Sequence, residues 1–294
     1  MLSIKFSVLP LLEARKRVSH TVLARRYLSS TSTPILLPDA HAHIHNTPCP
    51  PTALSTCEAP KICVMGTHLH DWPVVERLSQ QHPNRIVPGF GLHPWFFSES
   101  ALESTTSTHA FTLLTQYLHR NPTAVVGEVG LDRSIIRPKL PTISRFCPSM
   151  DHQIDVFTQC LQIASQLNRK VSIHSVRSPG IIFEILRRME NPPRRITMHS
   201  WAGEPALVRS FVKLKGVETY FGVSLKQALT GKFTERVAAL PEDRILLESG
   251  ADAVGDVDDK LRKICGLVAE SKGWTVQETA ERSSKNLKAF LAET

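Results

Sequence analysis

The chain has 294 residues, 41% of them hydrophobic, and carries a formal net charge of +8 at pH 7. This length and composition suffice for one large hydrophobic core, and no apolar run is long enough to cross a bilayer. Six cysteines stand at irregular spacings without a CxxC pair, which argues against a zinc ribbon or a disulfide scaffold and indicates a reducing compartment. We therefore expect a globular protein that does not insert into membranes.

The N-terminal segment accounts for most of the excess positive charge. Residues 1–38 contain six Lys and Arg residues against one acid, Glu13, and Ser and Thr fill positions 29–33. An Arg-rich, Ser-rich and acid-poor start is typical of a mitochondrial presequence, and a disordered basic tail is the alternative. We predict that residues 1–33 form this segment and residues 34–294 one domain. The expected location is the mitochondrion, with the cytoplasm or nucleus as the alternative.

Short β-rich runs alternate with longer amphipathic segments from residue 35 onward. Several runs are continuously apolar, which is typical of parallel strands covered on both faces. The predicted strands are Ile35–His43, Lys61–Thr67, Ile86–His93, Ala124–Leu131, Val171–His174, Ile196–His199, Glu218–Ser224 and Ile245–Glu248. The predicted helices include 150–168, 181–189, 204–214, 227–239, 257–271 and 275–292.

This alternation predicts an α/β fold of the (β/α)8 TIM-barrel type, because eight such units over about 260 residues match the usual length of that barrel. A doubly wound open sheet is the competing fold, but no glycine-rich phosphate loop follows the first predicted strand. The proline-containing stretch 133–150 is predicted to be a loop above the barrel mouth.

Metal-binding side chains are expected at the C-terminal ends of four strands. His41 and His43 are two residues apart at the end of the first strand, so both point to one face. Glu128, His174 and His199 follow at the ends of the fourth, fifth and sixth strands. Barrel enzymes place their chemistry at these ends, and a buried glutamate would be costly without a cation. Imidazoles with a carboxylate suit Zn, Mn, Fe or Ni, and a bridging carboxylate would build a two-metal centre that activates water.

A series of motifs resembles the TatD family of metal-dependent deoxyribonucleases, which are amidohydrolase-like barrels. The likeness runs from about residue 35 to Phe290. The motifs are DAHAH at 39–43, GLHP at 91–94, GEVGLD at 127–132, SIHS at 172–175, a histidine after the sixth strand, and LLES at 246–249.

The resemblance implies a ligand set for two divalent ions, expected to be Mg, Mn or Zn. By resemblance, His41 and His43 would bind one ion, His174 and His199 the second, and Glu128 would bridge them and take part in catalysis. His93 would sit beside the scissile phosphate, and the alternative from the residues alone is a histidine that caps a Pro-terminated turn. The implied substrate is DNA, often cleaved from the 3′ end of single strands.

One position departs from the family pattern. The family's last strand ends in Glu-Thr-Asp, whose Asp binds metal and helps to activate water, and Gly250 stands at that place. Glycine can neither bind metal nor accept a proton. Asp252, two residues further on, is the candidate catalytic acid, and an ordinary loop acid is the alternative. A smaller departure is His45, where the family often has an acid.

Three functions remain open from the sequence. The first is a metal-dependent phosphodiesterase that acts on DNA as a monomer. The second is a catalytically weakened barrel that binds a protein partner, and Gly250 motivates it. The third is hydrolysis of an amide or ester, because the same chemistry attacks carbonyls. Scattered basic residues near the mouth do not decide between them: Arg133, Arg137, Lys139, Arg145 and Arg177.

Overall fold

The fold is taken from a computed structural model, which describes residues 35–47, 53–96, 104–135, 148–229 and 231–293. The chain divides into two units, Met1–Ile35 and Leu36–Thr294, and the second holds the fold. The predicted presequence at 1–33 and residues 136–147 of the predicted mouth loop lie outside the described residues. Among the described residues, no helix is long and apolar enough to cross a membrane.

Within the described ranges, eight parallel strands form one sheet in sequence order. They are β1 Asp39–Ala42, β2 Ile62–Met65, β3 Ile86–Phe90, β4 Val125–Asp132, β5 Val171–Val176, β6 Arg195–Met198, β7 Glu218–Val223 and β8 Ile245–Leu247. The segment after β8 returns to β1, because the His43 N–H donates to the Ala251 carbonyl at 2.8 Å and the Gly250 N–H donates to the His41 carbonyl at 3.0 Å. The sheet is a nearly closed barrel, which confirms the predicted TIM-barrel fold and excludes the open sheet.

Helices lie between and after the strands and bury their apolar faces. They are α1 Trp72–Gln81, α2 Ser104–Arg120, α3 Met150–Gln166, α4 Pro179–Arg188, α5 Pro205–Val212, α6 Leu225–Ala228, α7 Phe233–Ala238, α8 Val257–Lys272 and α9 Val276–Leu291. Local chemistry sets their ends: Ser149 caps α3 by accepting the His152 N–H, and Thr275 and Glu278 form a capping box at the start of α9. Phe290 of α9 packs edge-on against Tyr220 of β7, with 5.4 Å between ring centroids.

The sequence predictions of these elements need two corrections. The predicted helix 227–239 is wrong, because α6 ends at Ala228 and α7 begins at Phe233, after Lys232 with φ of 67°. A left-handed residue cannot continue a right-handed helix. The predicted fourth strand, Ala124–Leu131, ends one residue early and the predicted fifth strand, Val171–His174, ends two residues early, because β4 pairs with β5 as far as Asp132 and Val176. Glu128 therefore lies in the middle of β4 and not at its end.

Candidate metal centre

The first strand presents His41 and His43 to the barrel mouth with their outer ring nitrogens facing each other. Asp39, which is fully buried, anchors this strand to the segment after β8 by accepting the Ser249 N–H at 2.9 Å and the Ser249 hydroxyl. The His43 Nδ1–H donates to the Met65 carbonyl at 2.9 Å, and His41 Nδ1 lies 3.2 Å from Ser172 Oγ. The two Nε2 atoms are 3.1 Å apart. Contacts that occupy Nδ1 in this way leave Nε2 free to bind a metal.

The carboxylate of Glu128 stands between these histidines and a second group. Its Oε2 atom lies 3.2 Å from His41 Nε2 and 3.3 Å from His43 Nε2. Its Oε1 atom lies 2.7 Å from His174 Nδ1 and 3.5 Å from His93 Nε2. One oxygen of the carboxylate therefore faces each group, which is the arrangement that a bridging ligand requires.

His174 is held between two carboxylates, and the sequence interpretation missed the second of them. Its Nε2 atom lies 3.2 Å from Asp132 Oδ2, while its Nδ1 atom faces Glu128. Burial lowers the pKa of His174, but hydrogen bonds to Asp132 and Glu128 outweigh it and raise that pKa to about 9. Asp132 is also fully buried and accepts the Trp95 Nε1–H at 2.6 Å. Its position four residues after Glu128 on one strand was the available signal, because alternate residues share a face.

His199 belongs to a third cluster, with a second acid that the sequence interpretation passed over. Its ring stacks on His41 with 3.5 Å between centroids, and its Nδ1 atom lies 2.9 Å from Glu248 Oε2. Its Nε2 atom is 3.8 Å from Glu128 Oε1. Glu248 lies over Gly222, where any Cβ would overlap its carboxylate, and it accepts the Ser200 N–H at 2.9 Å. Burial raises the pKa of Glu248 to about 7.

The protonation states of His41, His199 and Glu128 suit metal binding. Burial lowers the pKa of both His41 and His199 to about 3, so their imidazoles are neutral at physiological pH. Burial raises the pKa of Glu128, but the surrounding histidines, His93 first among them, outweigh it and hold that pKa well below its usual value. Neutral imidazoles and an ionised carboxylate are the forms that bind metals, so His43 and His174, whose pKa values are raised, would each release a proton when a metal binds.

The spacing of the donor atoms also fits a divalent ion. Ligands 2.0–2.1 Å from a tetrahedral ion lie about 3.3 Å from one another. Among the described residues, three groups place a donor atom from each member within 4.8 Å of the others: His41, His43 and Glu128; His93, Glu128 and His174; and His41, His199 and Glu248. All five predicted ligands are therefore brought together, and Glu128 belongs to two groups. Their assignment to particular ions stays a prediction.

The predicted catalytic acid Asp252 lies at the rim of this centre. Its exposed carboxylate accepts the Asn46 Nδ2–H at 2.9 Å, and none of the three donor groups in the described residues includes it. Gly250 adopts φ of 54°, and a Cβ added there would meet no atom within 4 Å. The place of the family's acid is thus open space, and the role of Asp252 stays a prediction.

Comparison with known proteins agrees with this geometry. A family model described as TatD related DNase matches residues 38–292. The Cut9-interacting protein scn1 of Schizosaccharomyces pombe is 25% identical over 87% of this chain and 98% of its own. The putative deoxyribonuclease tatdn3 of Danio rerio is 26% identical over 72% of this chain and 78% of its own. The fold of a solved TatD homologue of Escherichia coli, YJJV, superposes with a TM-score of 0.69 at 21% identity and covers 87% of this chain and 98% of that one.

Proposed function

Because this chain belongs to the TatD-related DNase family, we propose that it hydrolyses phosphodiester bonds of DNA and shortens single strands from their 3′ ends. The observation that carries this proposal is the bridging position of Glu128 between two groups of histidines, 3.2 Å from His41 on one side and 2.7 Å from His174 on the other. We propose that the centre holds two divalent ions, because a two-metal centre stabilises the attacking and leaving oxygens of displacement at phosphorus.

Different residues of the chain would have different roles in this reaction. His41 and His43 would hold one ion, His174 and His199 the other, with Glu128 between them. When bound, the ions supply Lewis acidity and lower the pKa of water. Contacts outside the ligand set fix the imidazoles, as the Met65 carbonyl does for His43. The Nδ1 atom of His93 accepts the Trp95 N–H, so its Nε2 atom, 3.5 Å from Glu128 Oε1, is the one that would face a phosphate oxygen.

A positive charge near His199 supports a phosphate-containing substrate. Lys226 of α6 is exposed, and its charge is close enough to add to the effect of burial in lowering the pKa of His199. Lysines close to a phosphodiester backbone attract it without regard to sequence. An anionic substrate would therefore be drawn to the side of the centre that His199 occupies.

The test is cleavage of a 5′-labelled single-stranded oligonucleotide by the purified chain. With Mg²⁺ or Mn²⁺ the products should shorten from the 3′ end, and EDTA should stop the reaction. Glu128→Gln should slow it by more than about a hundredfold, since even residues outside the ligand set contribute about 10- to 100-fold. Glu184→Gln, the same change on an exposed residue of α4, should leave the rate unchanged. An oligonucleotide that stays intact with Mg²⁺, Mn²⁺ and Zn²⁺ would contradict the proposal.

A second candidate is a barrel with weakened catalysis that binds another protein. Gly250 favours it, because the family's metal-binding acid is missing at a position where the structure leaves open space. One relative, which this chain matches over 98% of the relative's length, is named for its interaction with Cut9. Under this candidate the histidine centre is retained while the cleavage rate is low, so the two candidates differ in the rate of the chain and in its response to a restored acid.

A further inference from the structure

The loop after β3 presents two aromatic side chains to solvent beside the metal centre. Trp95 is 53% exposed and Phe96 is 51% exposed. They are the aromatic members of the exposed large apolar residues in the part of the chain that the structure describes: Leu36, Val74, Trp95, Phe96, Val212 and Leu229. Hydrophobic burial does not explain this pair, because half of each side chain stays in contact with water.

Trp95 is nevertheless held firmly at its edge. Its Nε1–H donates to the buried carboxylate of Asp132 at 2.6 Å, and its backbone N–H donates to His93 Nδ1 at 3.1 Å. A charge-assisted hydrogen bond of this length fixes the plane of the indole. The polar edge is therefore turned toward the centre, while the ring retains a large exposed area in a defined orientation.

The pair lies within one nucleotide of the residues proposed to act on the phosphate. The Trp95 ring is 5.2 Å from the His93 ring and 6.1 Å from the His174 ring, centroid to centroid. The Phe96 ring lies 5.9 Å from His93 and 5.0 Å from His68. A ligand whose phosphate reaches His93 and His174 would place its attached ring system over this pair.

We propose that Trp95, with Phe96 beside it, is a stacking site for the nucleobase next to the scissile phosphate of a single strand. This inference rests on the proposed function. Aromatic side chains accept any base, because every base has a flat π face. A paired base inside a duplex has both faces covered by its neighbours, so the site selects single strands and frayed ends without reading their sequence.

The test removes the base and the ring in turn and measures binding. A labelled short oligothymidylate is compared with the same oligonucleotide carrying one abasic residue at its 3′ end, by fluorescence anisotropy in EDTA and again in Ca²⁺. The wild-type chain should bind the intact oligonucleotide about tenfold more tightly or better, the range expected for one stacked base. Trp95→Ala should bind both equally weakly. Trp274→Ala, which removes a tryptophan near the start of α9, should keep the full preference.

Trp95→Phe separates stacking from the hydrogen bond to Asp132, because it keeps a ring and loses the Nε1–H. It should retain most of the preference for the intact base. If Trp95→Phe behaves as Trp95→Ala does, or if the wild-type chain does not distinguish the two oligonucleotides while cleaving single strands, the stacking site is wrong and the proposed nuclease stands. If the wild-type chain neither binds nor cleaves single strands, both the stacking site and the proposed nuclease function are wrong.

Discussion

Gly250 occupies the position at which this chain departs most from its family. Its φ of 54° places it in the left-handed region, and open space surrounds a Cβ added there. Aspartate tolerates this region better than most residues with a side chain. The backbone and the space at this position therefore both permit the acid that the family uses.

Restoring that acid separates the two candidate functions. If catalysis has weakened, Gly250→Asp should raise the cleavage rate tenfold or more, at a cost of about 1 kcal/mol in the free energy of unfolding, because the left-handed backbone strains any side chain. Initial rates and urea denaturation measure the two effects. Gly250→Asn, with a neutral side chain of the same shape, should show the same loss of stability without the gain in rate.

Asp252→Ala tests the alternative in which Asp252 supplies the catalytic acid. A wild-type chain that already cleaves fast, and that loses its activity in Asp252→Ala, would show that the acid has moved two residues along the chain. That result would exclude the second candidate function, a barrel with weakened catalysis. The hydrogen bond from Asn46 to Asp252 holds that carboxylate at the rim, so some movement toward the centre would be required.

The site residues were predictable to different degrees from the sequence. His41, His43, Glu128, His174 and His199 were found because inward-facing residues toward the C-terminal ends of the strands converge in a barrel, although Glu128 lies in the middle of β4. Asp132 could have been found from its spacing to Glu128 on one strand, whereas the roles of Glu248 and Trp95 depend on contacts with His199 and Asp132 from other parts of the chain. Spacing along the chain does not give such contacts.

The loop after β2 is held by one buried carboxylate, and its stability should depend on pH. Asp71 Oδ2 accepts the Thr67 N–H and hydroxyl, each at 2.8 Å, and lies 3.3 Å from His45 Nε2. Burial raises the pKa of Asp71, but the hydrogen bonds from His45 and Thr67 outweigh it and lower that pKa to about 2. His45, the smaller departure from the family pattern, thus helps to hold this loop through Asp71.

A depressed pKa in the folded state means that ionised Asp71 stabilises the fold above its unfolded pKa of 3.8, and that this contribution is lost as the pH falls toward 2. Asp71→Asn should therefore lower the free energy of unfolding by about 2 kcal/mol at pH 7. The difference between the two proteins should shrink between pH 4 and pH 2, as followed by urea denaturation. Asp259→Asn, on an exposed residue of α8, is the matched control, and a deficit in Asp71→Asn that does not change with pH would contradict this account.

At the level of elements, continuous apolar runs predicted all eight strands to within a few residues at each end, apart from the early start at Ile35. Such runs mark buried parallel strands, but hydrogen-bond partners set where pairing stops. The break between α6 and α7 was missed because the apolar spacing continues through Lys232, although Gly231 directly before it disfavours an unbroken helix.

The whole molecule depends on closure of the barrel, because closure brings strands from the two ends of the chain to one mouth. Asp39 of β1 and Ser249 after β8 form this seam, next to His41 and Glu248. The fold and the location of the centre could be predicted from the sequence, because eight consecutive βα units close into a barrel whose sites lie at the C-terminal ends of its strands. The mitochondrial presequence stays a prediction, since residues 1–34 lie outside the described residues.

The number of ions that the chain binds shows whether these side chains form a two-metal centre bridged by Glu128. Purified full-length protein, stripped with a chelator and dialysed against Zn²⁺ or Mn²⁺, should retain two ions per chain by elemental analysis. Glu128→Gln should retain no more than one, and Glu184→Gln should retain two. A wild-type chain that retains no metal, or a Glu128→Gln variant that still retains two ions, would contradict a two-metal centre bridged by Glu128.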